Sequence, residues 1–429
     1  MAGPAAARYT RGLAVAGQAR GSARYLTTLT FPITHVDSNT TDQAHDLLGP
    51  TGTASDPGNA GGGPARRSAT GILPFQDLEL LVRSSREIVG VEPIADDQFQ
   101  PASLDLRLGG TAYRVRASFL PGPDATVQDK LDDLTMHRMD ITGGGVLERG
   151  CVYIVPLLET LSLKYRMTAV GNPKSSTGRL DVFTRLITDY GTQFDRVPEQ
   201  YRGPLYAEVS PRTFSILVRK GSRLSQLRVR RGSPPVSDLQ MRALQREHGL
   251  VGALTEDDID NGVPVTVDVS GERTGGLIGY KAKSHAGLID IDRIRHYEVS
   301  DFWDEVHAPR RGGLVLDPED FYILASRQPV KVPDTHAAEM VAYDTLVGEF
   351  RVHYAGFFDP GFGLGDPAAP GSRAVLEVRS FEVPFVLEDN QVVGRLMYER
   401  LTERPAKLYG SAANSYQGQG IALSKHFRQ

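Results

Sequence analysis

Two parts of this 429-residue chain resemble each other at a spacing of about 170 residues. Three pairs of segments show the similarity: Gly144–Ile154 with Gly312–Ile323, Leu205–Glu208 with Ala374–Glu377 and, more weakly, Gln98–Gly109 with Ala286–Arg293. A spacing of this length is the size of one ordinary domain. The sequence therefore predicts two related domains in tandem, and not one large fold.

Short runs of β-branched and aromatic residues, broken by glycine and proline, fill the patterned part of the chain. In the first repeat they are Leu104–Leu108, Cys151–Pro156, Leu205–Val209, Phe214–Val218 and Leu224–Val229. Many short strands with frequent turn residues are typical of a sandwich or a barrel, so we expect a mainly β protein. Only a few short helices are expected. Apolar residues at helical spacing predict one over Phe75–Val82, and Ser237 is placed to cap another that ends at His248.

Residues 1 to 68 lack this patterning and are rich in Ala, Gly, Thr, Ser and Pro. The first 36 residues carry four arginines and no acidic residue, a composition that resembles a transit peptide. A disordered extension and a start codon assigned too early are the alternatives, and we favour the disordered extension. The predicted organisation is an extension over 1–68, a first repeat over 69–245 and a second repeat over 246–429.

Composition excludes several classes of protein. A net charge of −4 gives no support to nucleic-acid binding, which is usually accompanied by a basic surplus. The single cysteine, Cys151, excludes an internal disulfide and a cysteine-based zinc cluster, and its apolar neighbours predict a buried small hydrophobe. No apolar run reaches 18 residues, so no membrane partner is expected. A soluble protein of a reducing compartment, the cytoplasm, fits these features.

The stretch from Lys174 to Arg179 concentrates groups that bind phosphate. It contains Lys174, the hydroxyls of Ser175 and Ser176, and Arg179 within six residues. Hydroxyl and backbone N–H groups can bond phosphate oxygens, and an arginine can bind two of them at once. The spacing is not that of a P-loop. A polar turn between strands is the alternative reading of this stretch on its own.

Five further motifs accompany this stretch in a fixed order. They are Gln100–Gly109 before it, and Tyr201–Val209, Phe358–Phe362, Ala374–Val378 and Tyr416–Gly420 after it. Together the six resemble the dCTP deaminase branch of the dUTPase-like superfamily, over roughly residues 70 to 429. The resemblance implies two tandem dUTPase-like domains, each a distorted β-barrel or jelly roll.

The two repeats retain different parts of the site that this resemblance implies. The first repeat has the phosphate motif, whereas the second has Val341–Asp344 at the matching place, without the hydroxyl pair or the arginine. The second repeat has the Asp-Pro-Gly turn of Asp359 and the C-terminal motif. Each repeat retains a glutamate, Glu208 or Glu377. Because sites in this family form between subunits, we expect one composite site. The alternative is that Glu208 serves the first repeat alone, beside a degenerate second copy.

The resemblance also assigns roles to single residues. A carboxylate in a partly apolar pocket can move a proton from water to leaving ammonia, and Glu377, between Leu376 and Val378, suits this role. Glu208 is the other candidate. The carbonyl of Ala355 would orient the water, and Asp359 would lie near the sugar.

The C-terminal segment is expected to fold over bound nucleotide through Tyr409, Tyr416 and Gln419. Ser415 stands where the family has a lysine, so one phosphate contact is in doubt, and Lys407 or Lys425 could replace it. The last few residues are expected to fray.

The leading functional hypothesis is hydrolysis of dCTP to dUTP and ammonia. The alternatives are a dUTP diphosphatase or a bifunctional enzyme that yields dUMP, and a nucleotide-binding protein without catalysis. No tightly bound cofactor is expected, and Mg²⁺ would enter only with the triphosphate. The partner is dCTP, and we expect a homo-oligomer built on trimer-like packing of repeats.

Overall fold

The computed structural model of the protein describes residues 69–233, 236–342, 350–353, 356–365, 371–380, 382–410 and 420–429; for residues 342 and 350–353 it describes the backbone alone. Contacts divide the chain into Met1–Gly62 and Gly63–Gln429, and all described residues belong to the second unit. The extension predicted over 1–68 therefore lies outside the described residues, as do Ala355, Tyr416 and Gln419.

The first repeat is built almost entirely of strands. They are β1 Gly71–Ile72, β2 Ile88–Gly90, β3 Leu104–Leu106, β4 Thr111–Val115, β5 Thr135–Asp140, β6 Gly145–Leu147, β7 Val152–Ser162, β8 Met167–Pro173, β9 Val182–Thr188, β10 Arg196–Val197, β11 Arg202–Pro211, β12 Ile216–Val218 and β13 Ser225–Arg231. Its helices are α1 Phe75–Arg83, α2 Val127–Leu134, α3 Ser175–Gly178 and a 3-10 turn at Asp96–Gln98.

The second repeat follows α4 Asp238–His248. Its strands are β14 Val263–Thr266, β15 Leu277–Ala282, β16 Ile289–Asp290, β17 Trp303–His307, β18 Leu314–Leu316, β19 Phe321–Val330, β20 His336–Ala342, β21 Phe350–His353, β22 Phe357–Phe358, β23 Ser372–Ser380, β24 Phe385–Leu387 and β25 Val392–Arg400. It also has α5 Val299–Phe302 and a 3-10 turn at Glu256–Asp258. No helix among the described residues is long and apolar enough to cross a membrane.

The two repeats share their sheet topology. The sheet ordered β5-β4-β7-β11-β9 is matched by β17-β15-β19-β23-β21, and the strands β13-β8-β10 are matched by β25-β20-β22. The pair β6-β12 is matched by β18-β24. The prediction of two related, mainly β domains is confirmed.

One of the three sequence pairings was wrong. Ile289–Asp290 lies between β15 and β17, whose counterparts β4 and β5 both follow Gln98–Gly109 along the chain. The segment 283–302 therefore matches 116–134 of the first repeat, and not Gln98–Gly109. The similarity was misleading because short apolar runs of similar composition carry no information about strand order.

The strands and helices that depend on neighbouring residues were predicted correctly. Strands form at each of the five predicted runs, and α1 begins at Phe75. The Ser237 hydroxyl accepts a hydrogen bond from the backbone N–H of Gln240 and caps α4. The domain boundary expected at 245/246 lies inside this helix and stays a prediction. Cys151 is only half-buried, so the expectation of full burial was wrong; it lies at the edge of the core, just before β7.

The core of the first repeat continues into the second. Phe214 stacks edge-on against Phe302 and Trp303, with ring centroids 5.7 and 5.4 Å apart. Strand β16 of the second repeat pairs in parallel with β12 of the first, placing Ile289 opposite Ile216. Burial of these large apolar side chains fixes one repeat against the other, because each such side chain stabilises by about 1.5–3 kcal/mol when buried.

Candidate active site

The phosphate motif forms the connection between β8 and β9. Strand β8 ends at Pro173, Lys174 precedes the single turn of α3, and Arg179 follows it. Ser176 and Arg179 are buried, while Lys174 and Ser175 are half-buried. The stretch is thus a tightly packed turn whose first two side chains reach the surface.

Lys174 is held by the first of the accompanying motifs. Its ammonium forms an ion pair with the buried carboxylate of Asp105 on β3. Strand β3 pairs with β13, as does β8, so the sheet brings the two motifs together. The sequence analysis assigned no role to Asp105. Its position within the motif Gln100–Gly109 was the one sequence feature that pointed to it.

Arg179 reaches the second repeat. Its Nε atom lies 4.0 Å from Oε1 of Glu377, and its Nη1 donates to the carbonyl of Ala422 at 3.1 Å. Arg179 and Glu377 are each 4% exposed. A residue predicted to bind phosphate therefore contacts the predicted catalytic carboxylate, 198 positions further along the chain (377 − 179).

Glu377 lies in the middle of its sheet. It is on β23, in register with Ile323 on β19 and with the backbone of His353 on β21. Burial raises the pKa of Glu377 to about 8, and the nearby Arg179 guanidinium opposes that rise. A carboxyl group with a pKa near neutrality can both accept and release a proton at working pH.

Glu208 has the equivalent position in the first repeat but different neighbours. It lies on β11 in register with Ile154 on β7 and Arg185 on β9. The Nε of Arg185 donates to Oε1 of Glu208 at 3.0 Å, and the same guanidinium lies 3.4 Å from the centre of the Phe194 ring. Glu208 is therefore bound within its own repeat.

The segment between β4 and β5 covers the sheet face that carries Glu208. Phe119, Val127 and Leu131 of this segment cluster with Ile154 and Tyr206, which lie beside Glu208. The matching segment of the second repeat, 283–302, extends to the first repeat through β16 and leaves the Glu377 face against the first repeat's core. The segment 116–134 thus covers Glu208 within its own repeat. The matching segment 283–302 leaves Glu377 facing the first repeat.

Asp359 is bound by an arginine that the sequence had not suggested. Arg228 on β13 is fully buried, and its Nη2 lies 3.0 Å from Oδ1 of Asp359. Arg228 also donates to the carbonyl of Ala338 at 3.1 Å and lies 3.9 Å from the centre of the Phe357 ring. Burial raises the pKa of Asp359, and Arg228 opposes that rise.

The turn that follows Asp359 holds the start of the C-terminal segment. Gly361 has a φ of +95°, and a β-carbon there would come within 3.1 Å of Leu408 and Tyr409. The backbone N–H of Tyr409 donates to the carbonyl of Pro360 at 2.8 Å, and its ring centre lies 5.5 Å from that of Phe362. Tyr409 thus lies against the Asp-Pro-Gly turn, and its expected place over bound nucleotide stays a prediction.

The end of the chain is docked on the phosphate motif. The Ser424 hydroxyl donates to the carbonyl of Ser176 at 2.7 Å, and His426 and Phe427 are each 2% exposed. The expectation of a frayed terminus was wrong for these residues. A repeating pattern is absent from so short a segment, so its burial left no signal in the sequence.

A cavity of about 250 Å³ lies beside the motif. Its lining includes Lys174, Ser176, Arg223 and Lys425, together with Asp105. Lys407, the other proposed replacement for the family lysine, lies with its ammonium 4.7 Å from the Phe75 ring centre. No group of three or more His, Cys, Asp and Glu side chains is arranged for a metal ion in the part of the chain that the structure describes.

Comparisons with known proteins cover both repeats. Residues 69–233 match the family described as 2′-deoxycytidine 5′-triphosphate deaminase (DCD) N-terminal domain, and residues 237–427 match the corresponding C-terminal domain. The crystal structure of 2′-deoxycytidine 5′-triphosphate deaminase from Agrobacterium tumefaciens is 51% identical, with a TM-score of 0.73, over 78% of this chain and 99% of that chain. No curated protein sequence matches the chain.

Proposed function

The chain belongs to the 2′-deoxycytidine 5′-triphosphate deaminase family, and we propose that it acts through one composite site in which Glu377 moves the protons. Its reaction is the hydrolysis of dCTP to dUTP and ammonia, a step in the synthesis of dUTP. The proposal concerns which residues perform this reaction.

The contact between Arg179 and Glu377 carries the proposal. It joins the phosphate motif of one repeat to the glutamate strand of the other, with 4.0 Å between Arg179 Nε and Glu377 Oε1. A buried carboxylate is costly unless a cation or hydrogen-bond donors compensate it. Placing such a group beside a nucleotide-binding motif is typical of an active site, where perturbed carboxyl groups concentrate.

The chemistry requires one group that carries a proton twice. A water oxygen adds to C4 of cytosine while Glu377 takes a water proton and delivers it to N3. The resulting intermediate has a hydroxyl and an amino group on C4. Glu377 then takes the hydroxyl proton and gives it to the amino nitrogen, the C4–N4 bond breaks, and ammonia leaves a C4 carbonyl. With a pKa of about 8, Glu377 can accept and donate in turn near neutral pH.

The polyphosphate would lie along the turn from Lys174 to Ser176 and extend into the cavity that Arg223 and Lys425 line. These side chains place three cations around a space large enough for phosphate groups, and phosphate oxygens favour such charged donors. We propose that Mg²⁺ accompanies the triphosphate. Asp359 and Tyr409 would lie beside the sugar of the nucleotide.

Two features favour Glu377 over Glu208 as the proton carrier. Arg185 binds Glu208, and the segment 116–134 packs on the sheet face that carries this glutamate. Glu377, in contrast, faces the phosphate motif of the other repeat. The roles proposed for Ala355, Tyr416 and Gln419 remain predictions, because these residues lie outside the described ranges.

Incubation of the protein with dCTP and Mg²⁺, followed by chromatography, tests the proposal. We expect dUTP and ammonia in equal amounts. Formation of dUMP and diphosphate would instead establish the bifunctional alternative, and binding without any product would establish the non-catalytic one. The cytoplasmic location and the trimer-like homo-oligomer also remain predictions, which fractionation of cells and sedimentation would test.

A further inference from the structure

Another charge pair between the repeats lies two positions along the chain from Arg179 and Glu377. The guanidinium of Arg379 on β23 forms an ion pair with the carboxylate of Asp181, and its Nη2 also lies 3.0 Å from Oγ1 of Thr213. Thr213 in turn donates to Asp181 at 2.6 Å. Asp181 is 1% exposed, so this pair is part of the interior between the two repeats.

The two segments that face each other across the repeats carry their charges in opposite order. The first repeat presents Arg179 and then Asp181, while β23 presents Glu377 and then Arg379. Residues two apart on a strand project from the same face, so Glu377 and Arg379 both point at the first repeat. A displacement of β23 by two residues would bring Arg179 opposite Arg379, and like charges repel strongly when buried.

The backbone of Asp181 fixes the place of its carboxylate. Its φ is +54°, in the left-handed region, which glycine adopts readily and aspartate adopts more often than most other residues. The conformation is fixed by two backbone hydrogen bonds, from Asp181 N–H to Gly178 and from Arg212 N–H to Asp181, both 2.8 Å long. The backbone thus holds the Asp181 carboxylate at the place where the Arg379 guanidinium binds it.

We propose that Asp181 and Arg379 are a positioning pair, which holds Glu377 at its working distance from Arg179 and the bound nucleotide. The inference rests on the proposed role of Glu377. Neither residue touches substrate in this account. They act through the strand and the loop that carry the reacting groups.

The chain offers a matched control on the same strand. Arg373 also lies on β23, and its Nη2 is 2.8 Å from Oδ2 of Asp268. The two pairs are similarly buried, with side-chain exposures of 10% and 5% for Arg373 and Asp268, and 14% and 1% for Arg379 and Asp181. Arg373 and Asp268, however, belong to one repeat.

The test compares kcat, KM and melting temperature across the two pairs. We expect Asp181→Asn and Arg379→Met each to lower kcat roughly ten-fold with KM changed less than about two-fold, since misplacement of reacting groups reduces rate steeply. The double variant should be no slower than either single variant, because both changes remove the same contact. Arg379→Lys should recover most of kcat. Asp268→Asn and Arg373→Met should lower the melting temperature and leave kcat unchanged.

Multiplicative losses of kcat in the double variant, or equal losses in the control pair, would overturn the inference. If Asp181→Asn fails to fold, the comparison of Arg379→Met with Arg379→Lys and Arg373→Met still decides it. An active Glu377→Gln variant would refute the proposed site itself. An inactive Glu377→Gln variant with unchanged kcat in the pair variants would refute only the positioning role.

Discussion

Glu208 and Glu377 occupy equivalent positions in the two repeats, opposite Ile154 and Ile323 respectively, yet their charged neighbours come from different places. Arg185 of the same repeat binds Glu208, whereas Arg179 of the other repeat lies 4.0 Å from Glu377. In the function that we propose, the first copy thus has a structural ion pair and the second has the carboxyl group that exchanges protons.

Replacement of each glutamate by glutamine should separate these roles. Glu377→Gln keeps the shape of the side chain but cannot carry a proton, so deamination should fall by about a hundred-fold or more while nucleotide still binds. Glu208→Gln should change kcat less than about three-fold and lower stability by about 1–3 kcal/mol, because it weakens the Arg185 ion pair. Rates, dCTP affinity and urea unfolding measure these effects. The opposite ranking would move the chemistry into the first repeat.

The pKa of Glu377 predicts the pH dependence of the rate. The ionised form must accept the first proton, so kcat/KM should rise with pH and level off above about 8. A profile of kcat/KM for dCTP between pH 5 and 10 measures this. A rate that is already constant from about pH 5 would contradict the assignment of Glu377, since the pKa of an unperturbed glutamate is 4.5.

The same group should make stability depend on pH. Its pKa is 4.5 in the unfolded chain and about 8 in the folded protein, so the folded state holds the proton more tightly. The stabilising contribution is present in full below pH 4.5 and is lost as pH rises to 8. The difference in melting temperature between Glu377→Gln and the wild type should therefore shift in favour of the variant as pH rises across this interval. Parallel curves would show that Glu377 is not perturbed.

Removal of Arg228 should leave the buried carboxylate of Asp359 without its cation. Arg228→Met leaves Asp359 without its cation and should destabilise the fold by about 3–5 kcal/mol. Methionine is the residue at the matching position of the second repeat, Met397, so the substitution suits the strand. The double variant Arg228→Met/Asp359→Asn should recover much of the loss. Denaturant titration measures it, with Met397→Leu as a control expected to cost less than about 1.5 kcal/mol.

Lys425 should act on the phosphates alone. In a Glu377→Gln background, which prevents turnover, Lys425→Ala should weaken binding of dCTP roughly ten-fold, the effect of losing one charged contact. Binding of deoxycytidine should change little. Lys407→Ala is the control, because Lys407 lies over the Phe75 ring and outside the cavity. Titration calorimetry distinguishes the cases, and equal losses for both ligands would argue against a phosphate contact.

The sequence was sufficient for the features that depend on neighbouring residues. Glycine and proline fix turns, β-branched residues favour extended backbone, and a serine caps a helix, so strands, α1 and α4 were predictable one by one. The repeat and the motif order added the fold class, because the same local pattern occurs twice. The order of the motifs also suggested the candidate phosphate motif and the two glutamates, whose roles stay predictions.

The partners of those residues were decided by the tertiary structure. Arg179 with Glu377, Lys174 with Asp105, and Arg228 with Asp359 are pairs separated by 198, 69 and 131 positions. A single sequence does not show which charged residue pairs with which, since an ion pair needs only opposite charges that the folded chain brings together. Our proposal of Glu377 over Glu208 depends on which way one connecting segment packs, and that direction is set by burial of apolar surface between the repeats.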